Sequence, residues 1–402
     1  MKGVMEVSLL TGMDDKAYMF GLVRALIKNS VKLEVVGGDG IDFPEWHGVE
    51  GIRFLNLKHR LDEPATHTVK LWRILLSYAS LLRYTWSASP NTLHIIWNNK
   101  LEYLDRTALM LYYKFVLGKR VILTAHNVNK AKRDHMDTYL NRLTLRVQYR
   151  LCDWIFVHTE EMRRELVREF GCSQVKVSVI PFGIDDSRPN TNLTTIEAKK
   201  RLEIGKDEKT ILFFGRIVPY KGLEYLVEAF QDKLPASERY RLVVAGRPEK
   251  DSVQYLEAIR KKAKKCENIT WKIGYVPDAE TEVYFKAADV LVLPYRNIYQ
   301  SGVLFLGYNF GLPVIASAVG GLCSEIIEGQ TGFIVRPEDS TDLGRVIEKY
   351  FSSDLYRGLA EHRSRIQQYA HDRYSWQAVG ELTMKVYEHL SQVKSHGREW
   401  RI

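Results

Sequence analysis

A chain of 402 residues is too long for one ordinary hydrophobic core and suits two domains of roughly 150–200 residues each. Its 45% hydrophobic and 27% charged residues are a globular protein's balance, which excludes disordered and fibrous chains. The formal charge of +9 is concentrated in residues 51–150, where 17 Lys/Arg face 6 Asp/Glu; such a basic region favours an anionic membrane surface or a lipid-linked phosphate, and with no nucleic-acid-binding motif beside it nucleic acid is not expected.

At the N-terminus, Glu6, Asp14 and Asp15 interrupt what an export signal would need as an apolar core, so a cytoplasmic protein is expected. Apolar β-branched runs at 3–10, 31–37, 52–57, 92–97, 121–126, 154–158 and 175–181 read as strands. Helix-length segments at 16–29, 69–86, 105–117 and 133–151 alternate with them, the pattern of βαβ units around a parallel sheet. Residues 68–86 combine Trp72 and Trp86 with Lys70, Arg73 and Arg83 around an aliphatic stretch. That segment reads either as a helix lying on a membrane, peripheral to its inner face, or as a partly buried helix with snorkelling arginines. The polar stretch 185–201, with Pro189, reads as a linker. A second series of strands follows at 210–215, 241–246, 269–274, 290–294, 313–317 and 332–335, and Trp376, Val379, Leu382, Val386 and Leu390 form the apolar stripe of a last helix. The final SHGREWRI reads as frayed. The expected domains are 1–187, completed by a helix at about 376–402, and 188–375. Cys152, Cys172, Cys266 and Cys323 have no paired spacing, so neither a zinc site nor a disulfide framework is expected.

The most specific signal lies at 213–230, FFGRIVPYKGLEYLVEAF. A strand ending in Gly215 lets a ligand approach the backbone, and Arg216 and Lys221 can set two cations on a diphosphate beside a helix N-terminus. A surface Arg and Lys in an ordinary strand-to-helix loop is the alternative. His126 ends another strand, where open α/β sheets bind ligands; a histidine bonded only to backbone is the competing reading there. Gly12 follows the first strand and could let phosphate and acceptor meet over the backbone, or simply make a turn. No Asp-x-Asp stands at a strand end to hold a divalent ion against a diphosphate, so no metal is expected.

The run Gly215-Arg216-x4-Lys221-Gly222 resembles the donor-diphosphate site of retaining glycosyltransferases of the GT-B fold, the large bacterial glycosyl- and mannosyltransferase family related to glycogen synthase. Val157 to Glu160, Ile180 to Ile184, Ala288 to Pro294, Gly311 to Ser317, Val319 to Gly321, Glu325 and Gly332-Phe333 fall in register with that family. The resemblance implies two Rossmann-like, doubly wound parallel-sheet domains facing a central cleft. It makes His126 the histidine that contacts the transferred sugar. It also makes Tyr299 to Leu306 the head of the donor helix, with amides of Gly302, Val303 and Leu304 on the distal phosphate. Relatives often carry two glutamates eight positions apart in this element; here the places fall on Ile298 to Gln300 and near Leu306, and the roles are either vacant or passed to Gln300 and Ser301. The implied activity is metal-independent hexosyl transfer, with retention, from a UDP- or GDP-sugar to a glycan or lipid-linked acceptor in cell-surface polysaccharide or glycolipid synthesis. A catalytically degenerate GT-B scaffold, and a phosphorylase or sugar-nucleotide epimerase on related sheets, are the alternatives.

Overall fold

The computed structural model describes residues 5–12, 15–58, 65–133, 136–184, 189–235, 238–264 and 266–392. Two compact units divide the chain, one of Met1–Gly183 with Tyr374–Ile402, the other of Ile184–Arg373. The expected frayed tail, Met13, Asp14 and the start of the expected linker lie outside the described residues.

The first unit runs β1 (Glu6–Thr11), α1 (Lys16–Lys28), β2 (Lys32–Gly37), β3 (Ile52–Asn56), α2 (His67–Ser87), β4 (Thr92–Trp97), α3 (Glu102–Leu104), β5 (Arg120–Thr124), α4 (Lys130–Arg133), α5 (Tyr139–Leu151), β6 (Trp154–Val157), α6 (Glu160–Phe170) and β7 (Val177–Val179). Its sheet has the order β3-β2-β1-β4-β5-β6-β7, with every pair parallel. The second unit runs α7 (Thr195–Arg201), β8 (Lys209–Phe214), α8 (Leu223–Asp232), β9 (Tyr240–Gly246), α9 (Val253–Lys262), β10 (Ile269–Ile273), α10 (Asp278–Ala287), β11 (Val290–Leu293), α11 (Gly302–Asn309), β12 (Val314–Ser317), α12 (Leu322–Glu325), β13 (Gly332–Val335), α13 (Ser340–Phe351), α14 (Asp354–Arg357) and α15 (Leu359–Tyr374). Its sheet is again parallel, in the order β10-β9-β8-β11-β12-β13. The last helix, α16 (Trp376–Gln392), belongs to the first unit.

Both sheets are built from near-continuous apolar strands because helices cover both faces; Val7, Leu9, Ile122, Phe156, Ile211, Leu212, Val290 and Leu291 are fully buried. α16 completes the first core. Val379, Val386, Tyr387 and Leu390 join Tyr18, Met19, Leu22 and Leu26 of α1 in one cluster. The Tyr387 hydroxyl lies 2.6 Å from Nδ1 of the buried His94.

Three segments differ from the sequence reading. The expected helix 133–151 starts instead at Tyr139, where Thr138 caps it by accepting from the Asn141 amide, while the short α4 ends at Arg133. The expected helix at 105–117 begins at Glu102 and widens into π-helical turns at Asp105–Leu109 and Tyr112–Val116. The last seven residues of the expected linker are the helix α7, started by a capping box in which Thr194 and Glu197 satisfy each other's backbone amides. That helix is fastened to the second sheet by a buried ion pair, Lys199 Nζ to Asp289 Oδ2 at 3.2 Å.

Candidate donor site and histidine cluster

Chain order reverses direction in the second sheet between β8 and β11, and such a switch point is where open α/β sheets place ligands, beyond the carboxyl ends of the strands. Gly215 to Lys221 leave β8 at that place, and the loop into α11 leaves β11 there. The two are knitted together. The Arg296 amide donates to the Tyr220 carbonyl at 2.8 Å, and a Cβ on Gly222, whose φ is +65°, would stand 2.0 Å from the Pro294 carbonyl oxygen. Only glycine fits there.

That packing fixes Lys221. Its side chain is 6% exposed, and its ammonium sits 5.3 Å from the centroid of the Tyr295 ring. Among the described residues no carboxylate lies within ion-pair distance of it. Burial, with repulsion from Arg216 added, pushes its pKa down to about 7, against a partial upward pull from Glu249. A Cβ placed on Gly215 would lie 3.1 Å from Lys221 Nζ and 3.4 Å from a Val303 methyl, so Gly215, Lys221 and the head of α11 converge. At that head Ser301, buried, makes no side-chain cap. Gly302 is exposed, Val303 half-buried and Leu304 buried. The Leu304 amide is already taken by the Ser301 carbonyl at 3.1 Å, which leaves the Gly302 and Val303 amides as the donors for an anion. The Gln300 amide oxygen is buried without a partner in this loop. Leu306, at the place of the relatives' second glutamate, is in the core. Arg216 is different: it is 59% exposed and its Nη1 pairs with Glu249 Oε1 at 2.6 Å, a partner 33 positions away.

In the first unit the switch point lies between β1 and β4. Gly12 leaves β1 here, donating its amide to the Trp97 carbonyl at 3.0 Å. A Cβ on it would stand 2.0 Å from the Asn98 oxygen, so its missing side chain serves the close approach of two backbones. Asp15 caps α1 through the Tyr18 amide. A cavity of about 430 Å³ opens beside Gly12, lined also by Lys58, Tyr78, Asn98 and Lys100.

His126, just past β5, stands in an aromatic cluster that sequence reasoning missed. Trp97 stacks on it at 4.1 Å with planes 6° apart, and Tyr18 meets it edge-on at 4.6 Å. Its Nδ1 is 3.0 Å from His158 Nε2, and His158 Nδ1 is 3.2 Å from the Ile180 carbonyl. Its own Nε2 is buried with no hydrogen-bond partner. Burial, then the neighbouring His158 and His94, hold the His126 pKa far below the usual imidazole value, and burial takes His158 to about 4. Both rings are neutral at pH 7. His158 follows the end of β6, within the stretch Val157 to Glu160 that falls in register with the glycosyltransferase family, and those two features are its sequence signals.

The family described as Glycosyl transferases group 1 matches residues 194–373, and Glycosyltransferase Family 4 matches residues 17–188. Together the two matches span most of the chain, which is a glycosyltransferase. It is 24% identical over 389 residues to an uncharacterized glycosyltransferase of Methanocaldococcus jannaschii, covering 92% of each chain. A D-inositol 3-phosphate glycosyltransferase of Streptomyces avermitilis is 28% identical over 261 residues, 61% of this chain and 54% of the relative, so the match spans about half of that protein. HepE of Anabaena, solved in complex with UDP and glucose, superposes with a TM-score of 0.73 at 13% identity, covering 96% of this chain and 100% of that one. The two units of this glycosyltransferase are thus the Rossmann-like parallel-sheet units of the GT-B fold.

Proposed function

We propose that this glycosyltransferase moves a hexose from a UDP- or GDP-sugar to a glycan or lipid-linked acceptor, with retention of configuration and without a metal. The observation that carries the reading is Lys221: a buried ammonium without a carboxylate, held against Gly215 and the head of α11 at a sheet's switch point. A buried cation of this kind is costly until an anion arrives, and a diphosphate is the anion that also uses the α11 amides and Arg216. UDP in the HepE complex supports the class of donor. As the sugar departs, charge grows on the phosphate, and these fixed donors stabilise it where a divalent ion would otherwise act. Gln300 and Ser301 take the roles of the relatives' glutamates, and His126 recognises a sugar hydroxyl. The acceptor hydroxyl attacks from the face the leaving group departs, with no protein nucleophile.

A panel of UDP-, GDP- and ADP-sugars, scored by thermal shift and then by turnover with and without EDTA, tests the reading. One family of nucleotide sugars should stabilise the protein and be turned over in chelator. A panel without any shift would leave the scaffold reading in its place, and activity lost to EDTA would overturn metal independence.

The acceptor side rests on α2. Its outer face carries Trp72, Leu75, Ala79, Leu82 and Trp86 at spacings of three and four, with Trp72 65% and Trp86 69% exposed. Lys70, Arg73 and Arg83 flank the stripe, and residues 67–87 contain no Asp or Glu. Two copies of such a face would set like charges together, whereas an anionic bilayer matches both its charge and its aromatic ends. We therefore place the enzyme at an anionic membrane surface, drawing a lipid-linked acceptor in the synthesis of surface polysaccharide or glycolipid. Among the described residues no helix is long and apolar enough to cross a membrane.

A further inference from the structure

The hydrogen-bond chain through His158 settles which ring nitrogen of His126 carries the proton. The Ile180 carbonyl can only accept, so His158 Nδ1, 3.2 Å away, is the protonated nitrogen of that ring. His158 is neutral near pH 7, because burial holds its pKa at about 4, and a neutral imidazole has a single N–H. Its Nε2 is therefore a bare acceptor. The atom facing it at 3.0 Å, His126 Nδ1, must be the donor. His126 is itself neutral, so its one proton is used in that bond and its Nε2 presents only a lone pair. This is the nitrogen that is buried and has no partner.

We propose that His158 is a positioning residue that locks His126 in the Nδ1–H form, so that His126 Nε2 is a dedicated acceptor for a sugar hydroxyl and never a donor to a sugar oxygen or phosphate. The neighbours hold the ring to that task. Trp97 stacked on one face and Tyr18 edge-on against the ring oppose its rotation, and no flip about the ring axis can satisfy His158 as well. A donor hydroxyl at Nε2 would complete the last unmet bond of the chain Ile180–His158–His126. The assignment of a hydroxyl rests on the glycosyl-transfer reading; the assignment of the proton does not.

The test is ring ¹⁵N–¹H correlation spectroscopy on full-length protein labelled at histidine, with signals assigned by loss in a His126→Ala variant. Wild-type protein should show a pyrrole-type Nδ1 and a pyridine-type Nε2 for His126, unchanged between pH 6 and 8. In His158→Leu the His126 signals should shift toward the Nε2–H form, and kcat/KM for the sugar nucleotide should fall about 10–100-fold. The affinity for the free nucleoside diphosphate should stay as it was, which a general loss of packing would not allow. His158→Gln, whose amide oxygen can accept from Nδ1, should restore both. A pyrrole-type Nε2 in wild-type protein overturns the proposal, and so does His158→Leu with unaltered His126 signals. If the leucine variant fails to fold, the wild-type spectrum still decides. Protein with the expected signals that turns over no sugar nucleotide sinks the transfer reading and upholds the proton assignment.

Discussion

Replacing Lys221 by methionine should make the empty enzyme more stable and useless. In the unfolded chain a lysine titrates near 10.5; in the folded unit burial brings it to about 7. At about 1.4 kcal/mol for each tenfold change in proton affinity, that fall amounts to about 4 kcal/mol withheld from stability at pH 7. Relaxation around the ammonium halves this to about 2 kcal/mol, or about 4–8 °C in Tm for a unit the size of Ile184–Arg373. Methionine fills similar space and keeps a favourable contact with the Tyr295 ring. The pH dependence gives the sharper check. Between about pH 7 and 10.5 the unfolded chain holds the proton that the folded chain has lost, so wild-type stability rises with pH in that window. The variant's advantage should therefore be full below pH 6, shrink above pH 7 and vanish near 10.5. Denaturation curves at pH 6, 8 and 10, with and without the matching nucleoside diphosphate, measure all of this. The ligand should raise Tm only in wild-type protein, and calorimetry at pH 8 in two buffers should show proton uptake as the diphosphate recharges Lys221. A variant less stable than wild type at pH 6, or a difference that does not change with pH, refutes the reasoning.

Arg216→Ala should lower kcat about 10²–10³-fold by removing a cation from the leaving phosphate, while Glu249→Gln, which frees Arg216 from an exposed ion pair, should tighten nucleotide binding a few-fold and leave Tm within about 1 °C; titration of the nucleotide against each variant checks both. Gly222→Ala should cost about 2–3 kcal/mol and weaken nucleotide binding together, since the new methyl meets the Pro294 carbonyl at a left-handed φ; chemical denaturation and calorimetry read the pair. The double change Trp72→Glu, Trp86→Glu should leave the unfolding midpoint unaltered and abolish co-sedimentation with anionic vesicles, and binding that survives it would remove α2 from the membrane reading.

Much of the fold was legible because both sheets are parallel and buried. Val290–Leu293 is apolar throughout and stops at Pro294, and Val314–Ser317 is apolar up to its last residue and begins just after Pro313. Capping chemistry was the part overlooked: Thr138 and the pair Thr194/Glu197 were visible as letters, yet the first lay inside an apparently helical run and the second inside a polar one. At the site, Gly215, Arg216 and Lys221 could be named from spacing alone. What spacing cannot supply is environment. That Arg216 is exposed beside Glu249 while Lys221, five positions on, is buried against Tyr295 follows from the loop's fold onto Pro294. His158 likewise gained meaning only once Ile180, 22 positions away, came within reach of its ring.

The return of α16 to the first unit sets an order on synthesis. Trp376, Val379 and Tyr387 leave the ribosome after the whole of Ile184–Arg373, so the first half of the chain must wait with the side of α1 that carries Gly21 and Ala25 uncovered until α16 has been made. A nascent chain stopped at residue 373 would thus hold a finished second unit attached to an unfinished first one. Chaperone demand should fall on the earlier-made half, and truncations at the C-terminus should be felt at the N-terminus.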